Sequence, residues 1–259
     1  MKPLEVTIKS KQNQQLKAWR KLKTSKGRQK AQRYLIEGWH LVEEAILSKA
    51  AIDKIIVSEA NLALFNETFP TLNHPIEVLA DFLVADLAET ETSQGIFAVL
   101  AMATAKESWQ PLANKYLLID QVQDPGNLGT LIRTADAAGF DGIIIGDGTV
   151  DMYNDKVIRA TQGSLWHLDI QQMALEKAIP LLQTHAVPVL ATALYQKAID
   201  YRTLDKTNPK VAIIVGNEGR GVQPTILEQA DHLIYIPMYG KAESLNVAIA
   251  AAILMFHFV

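Results

Sequence analysis

The chain has 259 residues, about half of them apolar, and no cysteine. That length accommodates one large domain or two moderate ones around a proper core, and the missing cysteine excludes a disulfide framework, a thiol nucleophile and a cysteine-ligated zinc site. The net charge of −3 is unevenly spread: eleven of the 25 Lys and Arg but only one of the 28 acids fall within residues 1–33, a net +10 against −13 for the remainder.

A basic stretch set against an acidic remainder is the charge pattern of a polyanion-binding segment. A solvated basic helix with no partner is the competing explanation. The first residues hold no apolar run of the secretory type. The longest apolar run, Val247 to Phe258, covers about half of the ~20 residues that a membrane span needs. A soluble, cytoplasmic protein is expected, without membrane contact.

Residues 10–33 read as basic helix, broken near Ser25-Lys26-Gly27. "YLIEG" (34–38) reads as a strand and "WHLVEEAILSKA" (39–50) as a helix with apolar residues at helical spacing. Then follow "IDKIIVS" as strand, "EANLALFNETF" as helix, "IEVLA" as strand, "DFLVADLAE" as helix and "GIFAVLA" as strand. This alternation predicts a small α/β layer over residues 1–101. Residues 102–114, polar and with one Pro, read as a linker.

From residue 115 the alternation restarts more strongly. "KYLLID", "GIIIG", "HLDIQQ", "VPVLAT", "VAIIVG" and "HLIYIP" are short and apolar, as suits strands buried on both faces of a parallel sheet. Residues 128–138 and 174–184 read as helices between them. Residues 115–259 are therefore predicted to form a doubly wound α/β domain, whose ligands bind beyond the carboxyl ends of the strands.

Three loops at such ends carry polar chemistry. The first, "QVQDPGNLGTLIRTADAAGFDG", has a turn signal at Asp124-Pro125-Gly126-Asn127, so that Gly126 or Asn127 starts a helix. Arg133 falls about two turns inside it, where an exposed ion pair with Asp136 would contribute a few tenths of a kcal/mol. The second, "IIVGNEGRGV", crowds three glycines around Asn217 and Glu218; glycines allow close backbone approach or a positive φ. The third, "IYIPMYGKAESLNVAIAAAILMF", opens the most apolar helix with Lys241, Glu243, Ser244 and Asn246. A cap supplied by Glu243 or Ser244 explains one such residue, not four. Neither glycine pattern fits the dinucleotide fingerprint or the P-loop, which disfavours a nucleotide-dependent enzyme such as a dehydrogenase.

In this order, each after a strand, "NLGTLIRTADAAGF", "IVGNEGRGV" and "IPMYGKAESLNVAIAAAI" resemble the three motifs of the SpoU (TrmH-like) family of RNA ribose 2′-O-methyltransferases, in the SPOUT superfamily. Residues 7–100 resemble, through "YLIEGWHLVEEAI" and strand order, the small αβα RNA-binding domain that precedes the catalytic domain in many members. The resemblance implies an α/β fold whose C-terminal SPOUT methyltransferase domain carries a parallel sheet and a trefoil knot. It implies S-adenosylmethionine (SAM) as cofactor, held largely by main-chain groups at Gly216, Asn217, Ile236, Met238 and Leu245, with Thr192 and Ala193 closing the adenine side. It also implies a homodimer and an RNA substrate, ribosomal rather than transfer RNA.

On the same resemblance, Arg133, Asn127, Glu218, Ser244 and Asn246 form the catalytic set. Arginine stays protonated in proteins, so Arg133 is expected to clamp a phosphate and stabilise charge on the reacting oxygen rather than act as a base. Asn127 is expected to orient the nucleotide or Arg133, and Glu218 to position Arg133 or its loop. Ser244 and Asn246 offer donors and acceptors to ribose or phosphate, with Lys241 and Arg220 as further phosphate contacts. The six histidines share no metal-ligand spacing, and no metal is expected. A non-catalytic RNA-binding protein on the same fold is the alternative.

Overall fold

The computed structural model describes residues 7–72, 74–103, 109–194 and 197–259. The first residues of the basic segment, 1–6, and residues 104–108 of the expected linker lie outside the described residues. The chain divides into two compact units: residues 1–104 with 153–166, and residues 105–152 with 167–259.

The first unit begins with α1 (Gln14–Lys21) and α2 (Ser25–Ala31), the break falling at Thr24, whose side chain caps α2 through Gly27 N. The basic segment is not a detachable arm. Ile8, Leu16, Trp19 and Leu22 are buried in the unit's core beside Leu79, Leu83 and Phe97, and Arg28 is only 4% exposed. Then come β1 (Arg33–Glu37), α3 (Trp39–Leu47), β2 (Ile52–Ser58), α4 (Leu62–Thr68), β3 (Ile76–Leu79), α5 (Val84–Leu87) and β4 (Ile96–Ala101). The strands form one sheet in the order β1-β4-β2-β3, with only β2 and β3 parallel.

The second unit is built on β5 (Lys115–Ile119), α6 (Pro125–Ala137) and β6 (Gly142–Ile145). The excursion 153–166 that follows carries α7 (Asp155–Thr161) and groups with the first unit; no helix is expected there from the sequence pattern. The chain continues through β7 (Asp169–Gln172), α8 (Leu175–Thr184), β8 (Val189–Thr192), β9 (Ile199–Asp200), β10 (Val211–Val215), α9 (Pro224–Leu227), β11 (His232–Tyr235) and α10 (Val247–His257). All seven strands are parallel, in the order β7-β6-β5-β10-β8-β11-β9. The central runs are buried along their length, as in β6 and β10, because helices cover both faces. Tyr116, Leu118, Ile144, Ala212 and Ile214 pack toward α8 and α9, and α10 packs on α6 and β10.

Two caps differ from the sequence expectation. α6 starts at Pro125 with Asp124 as its cap, accepting from Asn127 N at 2.8 Å, since proline suits the first helical position and aspartate the cap. α10 is capped by Asn246, whose Oδ1 accepts from Ala248 N and Ile249 N at 2.9 and 3.3 Å. Glu243 and Ser244 stay in the preceding loop.

Candidate active site

The carboxyl ends of β8, β10 and β11 open on a cleft of about 550 Å³, within the size range of small-ligand sites. The loop after β10 is organised by Asn217. Its Oδ1 accepts from Gly219 N and Arg220 N at 3.0 and 3.1 Å, and its Nδ2 donates to the Gln121 carbonyl at 2.9 Å. Main-chain bonds between Asn217 and Gly221 close the turn, with Gly221 at φ +71°. Gly216 lies so close beneath it that a Cβ would meet Gly221 C at 2.2 Å and Val222 N at 2.3 Å. Glycine is required there by the close approach of two backbones.

The loop is tied to the end of β5 by Asp120. This carboxylate is 1% exposed and accepts from Gln223 N and Gln223 Nε2, both at 2.7 Å. No local pattern in the sequence pairs these two residues, 103 positions apart. The available signal was an acid closing the apolar run "KYLLI", because a buried carboxylate needs partners.

Glu218 does not meet Arg133. Its Oε2 accepts from Gln123 N at 3.2 Å, and its Oε1 from Asp124 N at 3.1 Å and Asn127 Nδ2 at 3.0 Å. Burial pushes this carboxyl up, but the bonds from Asn127 and the loop amides outweigh it and hold the group below the usual glutamate range. Asn127 Oδ1 in turn accepts from Asn246 Nδ2 at 2.9 Å. One chain of side chains, Glu218–Asn127–Asn246, thus joins the first, second and third loops.

The Arg133–Asp136 ion pair that helical spacing allows is also absent among the described residues. Asp136 Oδ2 instead meets His167 Nδ1 at 2.8 Å, while the exposed Arg133 side chain forms no hydrogen bond or ion pair among the described residues. A guanidinium not spent on a carboxylate is available to a phosphate. Ser244, Lys241 and Arg220 are exposed.

The cleft lining includes Thr192, Ala193, Gly216, Asn217, Ile236, Met238 and Leu245, together with Glu218, Ser244 and Asn246. Asn127 and Arg133 are not part of it; Asn127 reaches it through its two hydrogen bonds. The Thr192 hydroxyl donates to the Ile214 carbonyl at 3.1 Å, which leaves its backbone as the group for a ligand. Among the described residues, the main-chain groups of residues 238–245 enter no hydrogen bond with other main-chain atoms. Apolar side chains such as Val215, Ile234 and Ile236, combined with unspent backbone donors and acceptors, fit a nucleoside-containing cofactor held mainly by main chain. Among the described residues no group of three His, Cys, Asp or Glu could hold a metal ion, and no helix is long and apolar enough to cross a membrane.

Residues 114–256 match the model of the SpoU rRNA methylase family. The chain belongs to the SpoU rRNA methylase family. Residues 13–98 match the MRM3-like substrate binding domain. Among SpoU relatives, the chain is 45% identical to the 23S rRNA (guanosine(2553)-2′-O)-methyltransferase RlmP of Bacillus subtilis (strain 168), over 96% of this chain and 98% of that protein. It is similar to the AdoMet-bound rRNA methyltransferase from Sinorhizobium meliloti, with a TM-score of 0.85 and 30% identity over 96% of this chain and 95% of that one. It is likewise similar to an RNA 2′-O ribose methyltransferase of known structure, with a TM-score of 0.78 and 29% identity over 96% of both chains. These likenesses extend over both units of a SpoU protein with an N-terminal substrate-binding domain.

Proposed function

We propose that this protein transfers the methyl group of SAM to a ribose 2′-hydroxyl of ribosomal RNA. The observation that carries the reading is the Glu218–Asn127–Asn246 chain at a cleft of main-chain and apolar character, in a member of the SpoU family. RlmP is named for guanosine 2553 of 23S rRNA, and the equivalent guanosine is the first candidate target here.

Thr192, Ala193, Gly216, Asn217, Ile236, Met238 and Leu245 would hold SAM, which supplies a methyl group already activated on a sulfonium. The chain's own task is to bring the ribose oxygen into line with the bond that breaks and to ease loss of its proton. The bound cofactor would supply that methyl group to the ribose oxygen, whose proton would pass to solvent water. Arg133 clamps the adjacent phosphate and stabilises negative charge developing on the oxygen. Asn246 presents the ribose to the helix terminus it caps, where the α10 dipole favours anions. Ser244 adds a hydroxyl contact. Glu218 fixes the first loop through Asn127 rather than by pairing with Arg133.

The same reading includes three further elements. The C-terminal segment forms the knot of the family. Two copies associate through α10, whose Ile249 and Phe256, seven residues and two turns apart, are 52% and 53% exposed; sedimentation of wild type against Ile249→Lys tests that. The protein works in the cytoplasm, on RNA gripped by the first unit.

The deciding experiment is SAM binding by calorimetry followed by methyl transfer to 23S rRNA and mapping of 2′-O-methyl sites. Absence of SAM binding at millimolar concentration sinks the reading. Transfer to transfer RNA alone sinks the ribosomal assignment.

A further inference from the structure

Tyr239 stands between Met238 and Glu243, both residues of the cleft wall, yet its own side chain is 83% exposed, the most exposed aromatic among the described residues. It is nevertheless held. Its hydroxyl accepts from Arg202 Nη1 at 2.6 Å, and the guanidinium carbon lies 5.8 Å from the ring centre. Arg202 is in turn fixed by Asp200, which accepts from its Nε at 3.0 and 3.1 Å and from its Nη2 at 2.5 Å. Asp200 belongs to β9 and pairs in register with Tyr235 of β11. The ring is therefore anchored by its polar tip to the sheet, while most of its surface stays in water.

Such a ring is pre-organised for a flat partner: the entropy of fixing it is met before anything binds. Aromatic faces displayed beside a basic backbone contact are the sequence-tolerant means of binding unpaired nucleotides, and the exposed Lys241 lies two residues on. We propose that Tyr239 is a stacking platform for an unpaired base of the RNA substrate next to the methylated nucleotide, with Lys241 meeting a neighbouring phosphate. The inference rests on RNA being the substrate of this cleft and adds a substrate-binding residue to it.

The test compares Tyr239→Ala, Tyr239→Phe and wild type by fluorescence anisotropy on a labelled fragment of 23S rRNA, with SAM affinity measured by calorimetry. Tyr239→Ala is expected to weaken RNA binding about tenfold, the scale of losing one base–aromatic stack, with SAM affinity unchanged. Tyr239→Phe keeps the ring but loses the bond to Arg202, and is expected to bind RNA with an affinity between those of wild type and Tyr239→Ala. RNA binding of Tyr239→Ala equal to wild type overturns the proposal. So does a loss of SAM affinity as large as the loss for RNA, which makes Tyr239 part of the cofactor loop, or a change of oligomeric state, which makes it a protein contact. If wild type binds the fragment but transfers no methyl group, the proposed function fails, while the stacking contact is still read from the anisotropy.

Discussion

Asn246 Nδ2 donates to Asn127 Oδ1 at 2.9 Å, joining positions 119 residues apart. Both amides are committed at both ends. Asn127 Nδ2 donates to Glu218, and Asn246 Oδ1 caps α10. An amide accepts through its oxygen and donates through its nitrogen in one fixed plane, which is what both positions require. A carboxylate at position 127 would face Glu218 with like charge, and an alanine would leave both neighbours short of a partner.

Asn127→Asp is accordingly expected to lower kcat by about 100-fold, the scale of losing reactant alignment, and to cost a few tenths of a kcal/mol of stability, because it loses the bond to Glu218 and sets two carboxylates together in a largely solvated loop. Asn246→Ala removes a helix cap as well, which costs about 1 kcal/mol and lowers Tm by about 2–4 °C for a chain of this size. Steady-state kinetics and a thermal melt on the two variants separate alignment from capping. Equal melting temperatures for both would contradict Asn246 as the cap.

Glu218 gives a pH dependence of definite sign. Its folded-state value lies below the ordinary 4.5, with burial opposing and hydrogen bonds from Asn127, Asp124 and Gln123 prevailing. The unfolded chain then binds more protons in that window, so stability rises with pH through it. The contribution is complete above the ordinary carboxylate value and is lost as pH falls through the folded one. Glu218→Gln should be less stable than wild type near neutral pH, and the difference should shrink as pH falls through and below the ordinary value of 4.5. Parallel acid-unfolding curves would show that the carboxylate holds nothing in place.

The apolar runs announced the strands because a parallel sheet covered on both faces leaves little room for polar residues. β10, "VAIIV", and β6, "GIII", are plain in the sequence for that reason. β9 is not, since two residues carry no periodicity, and α7 hides in polar sequence between two strands. The polar loops were legible as chemistry because Gly, Asn, Glu and Arg crowd strand ends. Their wiring was not. Glu218 lies 91 residues from Asn127, and Asp120 lies 103 from Gln223, separations over which no local rule chooses a partner. Helical spacing allows Arg133 to pair with Asp136, yet His167 takes that carboxylate from outside the helix.

Gly216→Ala tests the close approach at the end of β10. Its Cβ would sit 2.2 Å from Gly221 C, and the obstacle is backbone, which does not swing aside as a side chain does. The turn at 217–221 must then move, at about 1–3 kcal/mol for an overpacked site. SAM affinity is expected to fall by at least about tenfold, the equivalent of 1.4 kcal/mol, because the displaced loop is one wall of the cleft. Wild-type affinity in a calorimetric titration would show that this turn does not form the cofactor wall.

The basic first unit offers the last prediction. Deleting residues 1–33 would remove Leu16, Trp19 and Leu22 from the core and would test folding rather than binding. Lys21, Lys26 and Lys30 are exposed along the two opening helices, so replacing them by alanine removes charge and spares the core. Each phosphate contact contributes about 0.7–0.9 to the slope of log K against log salt, so losing three should flatten it by about 2. RNA affinity is expected to fall most at low salt, where counterion release is strongest, while SAM affinity and Tm stay at wild-type values. An unchanged slope would move the RNA contact away from these helices and onto the rest of the molecule, where Arg220 in the cleft wall and the exposed Arg133 and Lys241 of the second unit are the next cations to replace.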